Sequence, residues 1–369
     1  MKPSLFRDCF AKKNAAFSER FGAQVVSRVS DQKTEYLLVR DGFGLTDVSY
    51  MHRYSFPEDK GLDFLDALCA GNVAKVRFGR MLHTFIADEA GDLVADCYVA
   101  NNDEQLVLLA ESIMDDAAFK SMLLSRGAAD AGMTDLSETH ALLSVDGYKA
   151  WAVVKGLFGA DVLGLPYLSV ERYEFSGQPL SLFRAGKTSE FGYYLLAPAA
   201  NAQDLFDACM AHAAESGGGP CGVDIHNDLR LEGRFFNIFA EGATVCDPLP
   251  LGLQWMIDFG KESFCGSKAI FERRAKGLSH KIIGVSASAD ANGFSKGAAV
   301  FNGSRKAGDI VAACFSHVLG AQVGLALLPV DIAFSGLAFS LGSKDGPEVQ
   351  TISMPPIMPK SLTVKLDEL

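Results

Sequence analysis

No two of the eight cysteines in this 369-residue sequence form a CxxC pair, and several lie inside apolar runs, where a free thiol packs as a small hydrophobe. That scatter argues against a disulfide framework and for a reduced, cytoplasmic protein. No run of about 18 uninterrupted apolar residues is present to span a bilayer. The opening "MKPSLFRDCFAKKN" lacks the apolar centre of a secretory signal, so a membrane is not an expected partner. Histidine pairs and His–Cys clusters at metal-ligand spacing are missing, and no metal site is expected. The G-x-S-x-G elbow and the Gly-rich dinucleotide fingerprint are missing too, which leaves an organic carrier held in a pocket as the expected source of chemistry. Positive charge is also scarce. With 34 Lys and Arg against 45 Asp and Glu, the formal net charge is −11, which excludes nucleic acid as a general partner but permits a local basic pocket.

What remains is an ordinary globular composition, 49% hydrophobic with a mean hydropathy of +0.14, long enough for two or three domains. "AAFSERFGA" reads as a first helix and "TEYLLVRDG" as a strand. "PEDKGLDFLDALCAGNVAKV" carries Leu62, Phe64, Leu65 and Leu68 at helical spacing, and "SIMDDAAFKSMLLSRG" and "YKAWAVVKGLFG" read as further helices. Between them, "ALLSVDG" and "LSVERYEFSGQPLSLFRAGKTSEFGYYLLAP" are strand-rich, and "NAQDLFDACMAHAAES" is helical. From Lys281 onward, short β-type runs ("KIIGVSAS", "AAVFNG", "AGDIVAACFS", "VGLALLP", "TISMPPIM") separated by Gly, Asn and Ser turns indicate a small all-β unit. The sketch is two mixed α+β units followed by a β-barrel-like end.

Three stretches can carry chemistry. "GDLVADCYVANNDEQLVLLAE" reads as two strands joined at "NNDE", and Asp96 stands in the middle of the first, on the face shared with Val94, Tyr98 and Ala100. A carboxylate facing an interior must be paired, hydrogen-bonded or left with a raised pKa, each useful beside a reacting group; an edge strand in water or a structural ion pair accounts for it equally. "AGKTSEFGYYLL" resembles the tail of a phosphate loop, but Ser181 replaces its leading glycine, so a nucleotide site is rejected. There Glu190 can accept paired hydrogen bonds from a heterocycle bearing adjacent N–H and NH2 groups, or be an exposed turn acid. In "CGVDIHNDLRLEGRFFNIFAE", His226 and Arg230 share a helical face and can hold a carboxylate tail, or serve structure alone, while Asp224, Asn227 and Asp228 read as capping residues.

In order, these segments resemble the tetrahydrofolate-dependent aminomethyltransferase (glycine-cleavage T-protein) family. "GFGLTDVSYM" resembles its G-x-F-D-V-S-H-M block, and "FGRMLHTFIADEAGDLVADCYV" its Y-T-x-M-L-N…D-D-L-I-V block. "GKTSEFGYYL" is similar to G-Y-T-G-E-x-G-[YF]-E, "PCGVDIHNDLRLEG" to P-C-G-L-G-A-R-D-x-L-R-L-E-A, and "DPLPLGLQWMIDFGKESFCGSKAI" to P-x-E-x-G-L-x-W…F-x-G-x-x-A-L. "GDIVAACFSHVLGAQVGLALLP" resembles G-x-[IV]-T-S-G-x-x-S-P-x-L-x-x-x-I-A-x-A. The resemblance implies an α+β, three-domain cloverleaf around a central folate site with a C-terminal small β-barrel. Residues 1–50 and 140–275 would form a discontinuous folate-binding domain, 51–139 a second α+β domain, and 280–369 the barrel.

The resemblance also implies roles. Asp96 falls on the acid facing the reactive N5/N10 side of tetrahydrofolate, Glu190 on the glutamate that grips the pterin edge, and Met51 and Trp255 on positions forming the pterin cleft. This sequence departs from the pattern at Ala95, where the family has a first acid, at His83 for a tyrosine, at Tyr50 for a histidine, at His226 for an arginine, and near Ala110 or Glu111 for an asparagine. With His83 or Tyr50 as proton donor and Arg230 and His226 at the cofactor's anionic tail, the expected activity is tetrahydrofolate-dependent methyl transfer from a small N-, O- or S-methylated substrate. The alternatives are a glycine-cleavage aminomethyltransferase and a non-catalytic folate-binding protein assisting iron–sulfur enzymes. Relatives of the last kind carry K-G-C-[YF]-x-G-Q-E, where this sequence has Ser263.

Overall fold

A computed structural model describes residues 4–20, 22–102 and 105–366. Two sheets stacked face to face form its centre. The six-stranded sheet runs, in spatial order, Ser169–Phe175, Gln178–Arg184, Gly192–Pro198, His140–Asp146, Gly44–Asp47 and Gly219–Pro220, antiparallel except for the last pair. The five-stranded antiparallel sheet runs Met81–Ala87, Leu93–Asn102, Gln105–Ser112, His52–Pro57 and Thr134–Asp135.

Alternation along each strand divides the core between two faces. On the outer face of the five-stranded sheet, Ala95, Cys97, Val99, Leu106 and Leu108 pack against Leu65, Leu68, Phe119 and Leu123 from the helices Glu58–Leu68 and Asp116–Ser125. Its inner face offers Met81, Tyr98, Ala100, Val107 and Leu109 to Leu142, Phe183, Tyr194 and Leu196 of the other sheet. The helices Ala150–Phe158 and Ala202–Met210 cover the outer side of the six-stranded sheet. Asp96 therefore points between the sheets, with no solvent exposure. The turn residues Asp103 and Glu104 of "NNDE" lie outside the described residues.

The expected barrel is present and closed, in the order His280–Ala287, Ala321–Pro329, Arg305–Ser316, Ala299–Asn302, Ala338–Leu341 and Glu348–Ile352. The helix Asp224–Gly233 ties it to the rest. Its Leu231 packs with Val311, Ala312 and Cys314 of the barrel, while Ile225 and Leu229 pack with Tyr36 and Val39.

Three local expectations are corrected. "AAFSERFGA" is a strand, Ala16–Arg20, paired antiparallel with Ala23–Arg28. Buried Val25 and Val26 supply a β-branched partner strand, and the sharp reversal includes Gly22 at φ +74°. "TEYLLVRDG" lies in a helix, Gln32–Asp41, because Asp31 caps it by accepting the Thr34 amide (3.0 Å) and Tyr36, Val39 and Arg40 bury one helical face. Asp224, Asn227 and Asp228 are not caps. The helix begins after Val223 with no side-chain cap, and the three pair instead with Arg20, Asn237 and Gln32.

Candidate functional site

Between the sheets, six ionisable side chains join into one chain of contacts. Asp96 faces Glu111 across adjacent strands in register, and His83 lies opposite Tyr98, one inward position along. His83 Nε2 meets Asp96 Oδ1 at 2.7 Å. The Lys187 ammonium donates to Asp96 Oδ2 and to Glu111 Oε2, both at 2.5 Å. Arg230 donates to both Glu111 oxygens, at 3.0 and 2.6 Å, and the Tyr50 hydroxyl donates to Glu111 Oε1 at 2.7 Å.

Lys187 is only 1% exposed, unusual for a lysine in a turn. Its turn joins the strands Gln178–Arg184 and Gly192–Pro198, and a pair of glycines folds it against the sheet end. A Cβ on Gly186 would come 2.6 Å from Asp146 Oδ1, and one on Gly192 would come 2.6 Å from the Gly186 Cα. Only bare backbone permits that crossing.

Electrostatics follow from the pairing. Burial alone would raise Asp96, but Lys187 and then His83 more than offset it, so its pKa lies below the usual carboxylate range. Glu111 is likewise pushed up by burial and pulled further down by Arg230 and Lys187. Tyr50 is held well above the ordinary phenol value by burial and by Glu111, and stays a donor. His226 is pushed down to about 3 by burial and then by Arg230; the ring is neutral and meets Thr46 Oγ1 at 2.9 Å.

A cavity of about 390 Å³ opens beside this cluster, within the usual size of small-ligand sites. Tyr50, His226 and Arg230 line it together with Phe239, Arg20 from the N-terminal hairpin and Lys296 ahead of the barrel strand Ala299–Asn302, and Glu241 is its one carboxylate. Of its three cations, Arg20 is paired with Asp224 and Arg230 with Glu111, while Lys296 donates to the Ala240 carbonyl at 2.9 Å. Arg230 Nε is buried there without a hydrogen-bond partner among the described residues.

The other expected residues are distributed differently. His83 stacks on Tyr98 (centroids 4.4 Å apart) and meets the edge of Trp255 (5.3 Å). Trp255 itself is 64% exposed, so this end of the cluster reaches the surface. Met51 is buried in the inter-sheet core. Glu190 is not brought together with Asp96. Its carboxylate accepts from Arg40 (3.3 Å) and from the backbone amides of Lys360 (3.3 Å) and Ser361 (2.9 Å). Sequence reasoning missed Lys187 and the inward-facing Tyr194, named Tyr98 only as sharing the Asp96 face, and noticed Glu111 only as a departure. Among the described residues, no group of three or more His, Cys, Asp and Glu could hold a metal ion, and no helix is long and apolar enough to cross a membrane.

Comparison with known proteins agrees with this architecture. The family model described as the GCVT N-terminal domain matches residues 6–261. An aminomethyltransferase of Geobacillus thermodenitrificans is 28% identical over 89% of this chain and 90% of its own length. One from Streptomyces avermitilis is 30% identical over 71% of each. The crystal structure of the glycine cleavage system aminomethyltransferase T from Bartonella henselae superposes with a TM-score of 0.82 over 97% of this chain and 98% of that one, at 20% identity, a likeness of fold. The chain belongs to the GCVT family of aminomethyltransferase-type enzymes.

Proposed function

We propose that this protein is a tetrahydrofolate-dependent methyltransferase that removes a methyl group from a small N-, O- or S-methylated compound. One observation carries the reading. A single line of paired charges runs from Arg230, which lines the cavity, to His83 beside exposed Trp255.

Tetrahydrofolate, when bound, supplies the nucleophilic nitrogen that accepts the carbon. Arg230 and the neutral His226 would hold it in the cavity, with Lys296 near an anionic tail. Glu190, whose carboxylate holds two amides and a guanidinium, would reach a pterin edge only by giving up those contacts. Asp96 fixes His83 through Nε2, and His83 would pass a proton to the departing heteroatom, replaced by the proton that the methylated nitrogen gives up. Tyr98 and Trp255 flank the imidazole and limit its rotation. Holding donor and acceptor in line supplies much of the rate.

A second reading, a glycine-cleavage aminomethyltransferase, is favoured by the names of the relatives. Calorimetric titration with tetrahydrofolate on wild type and Arg230→Met tests the cavity: saturable binding is expected in the first and a weakening of at least tenfold in the second. Methylated amines, sulfonium compounds and methoxy-aromatics are then assayed for methyl-tetrahydrofolate against an aminomethylated lipoyl carrier. Turnover of the carrier alone selects the second reading. No saturable binding removes both.

A further inference from the structure

Lys187 stands where the resembling family block has the tyrosine of G-Y-T-G-E, and it is the one cation that touches both inward carboxylates. Arg230 spends both terminal nitrogens on Glu111, so among the described residues Asp96 has Lys187 and His83 as its ionic partners. That division has a consequence for proton transfer. If His83 were the sole counter-charge of a fully buried Asp96, releasing a proton from the imidazole would strand an uncompensated carboxylate, which is costly. With Lys187 in place, two carboxylates face one ammonium and one guanidinium. The cluster is then neutral with His83 neutral, and the ring can gain or lose a proton without stranding an acid.

We propose that Lys187 is the positioning residue of this site, keeping Asp96 and Glu111 anionic side by side so that His83 remains free to exchange its proton. The inference rests on the reading of His83 and Asp96 under Proposed function, and it deepens that reading. The groups facing the pair from neighbouring elements are His83, Tyr50, Tyr98, Arg230 and, through the Thr188 hydroxyl at 3.4 Å, Asp146. Of these, His83 and Arg230 are the cations available to compensate. Removing Lys187 leaves two adjacent carboxylates short of one positive charge, and like charges so placed do not both ionise.

The test uses the full chain with Lys187→Met, Lys187→Gln and Lys187→Arg. Infrared difference spectra collected across roughly pH 5 to 8 follow protonated carboxyl groups directly and do not depend on any activity. Wild type and Lys187→Arg should show no such group from this site at neutral pH. Lys187→Met and Lys187→Gln should each either gain one, which should vanish when Glu111→Gln and Asp96→Asn are added together, or hold the His83 ring protonated, read by NMR of its ring carbons. In turnover, the uncharged variants should lose at least about tenfold in kcat at neutral pH with KM nearly unchanged. Their acid limb should move up by one pH unit or more, and Lys187→Arg should restore both. Lys187→Gln keeps a donor in place should the methionine variant fail to fold. A folded uncharged variant with no new carboxyl signal and with His83 no more protonated than in wild type overturns the proposal. If the signal appears but no methylated compound is turned over, the role of Lys187 stands and the proposed reaction fails.

Discussion

Arg230 and Glu111, 119 residues apart in sequence, form a two-pronged ion pair with nitrogen–oxygen distances of 3.0 and 2.6 Å. Both are buried, and Lys187 and Tyr50 complete the shell of the carboxylate. A buried pair of this kind adds little net stability, yet losing one member is expensive because the other stays behind unpaired. Glu111→Ala leaves two cations with Asp96 alone, and should destabilise the fold by about 3–5 kcal/mol. Glu111→Gln keeps an acceptor for Arg230 and should cost visibly less. Chemical denaturation of the two variants measures the difference.

Stability should respond to pH in two opposed ways. Asp96 and Glu111 lie below their unfolded values in the fold. Their contribution is therefore full above about pH 4 and is lost as pH falls through the lower folded values. Asp146 acts oppositely. Burial pushes it up to about 7 despite the Ser144 and Thr188 hydroxyls. The folded chain holds that proton where the unfolded chain has released it, so stability falls as pH rises from about 4 to 7, and the full cost applies above that. Asp146→Asn should flatten this window, gaining on wild type by a few kcal/mol (order of magnitude) between those limits. Melting temperatures across the range check the slope. An unchanged slope would mean that Asp146 ionises as an ordinary carboxylate.

Asp96→Asn should lower kcat by about 10²–10⁴-fold, the usual scale for losing a general acid–base partner, with a smaller effect on cofactor affinity. His83→Asn should do the same, and the double variant should be no worse than the more damaged single, since the two act as one unit through the 2.7 Å contact. Steady-state kinetics on all three decide it. Additive losses would separate the two residues.

Local pattern made some of this legible. The alternation around Asp96 put its side chain on the Tyr98 face, and the strand does bury that face between sheets. The four-residue spacing of His226 and Arg230 put both on one side of a helix, and both line the cavity. Lys187 was not legible. A lysine in a Gly-containing turn reads as solvated, and the carboxylates that draw it inward lie 76 and 91 residues away. The early "TEYLLVRDG" segment was misread because its β-type residues outweighed the Asp31 cap. Side-chain capture of an amide is a local signal, but here it outranked propensity.

Glu190 has two places open to one carboxylate, and its test separates them. The expected role was to grip a heterocycle edge. In the fold, the two donors meeting that carboxylate are consecutive amides of Lys360 and Ser361, with Arg40 alongside and Ser361 Oγ donating to the Ser189 carbonyl at 3.3 Å. Lys360 adds a surface ion pair to Asp41, which contributes little by itself. The carboxylate thus fastens the stretch after the barrel onto the turn that carries Lys187. Glu190→Ala should free that stretch, strand Arg40 with Glu232 as its one remaining ionic partner, and lower stability by about 1–3 kcal/mol. Limited proteolysis should then cut near exposed Met358 and Leu362 many times faster than in wild type, while tetrahydrofolate affinity changes less than in Arg230→Met. An affinity loss equal to that of Arg230→Met with an unaltered cleavage rate would return Glu190 to the ligand.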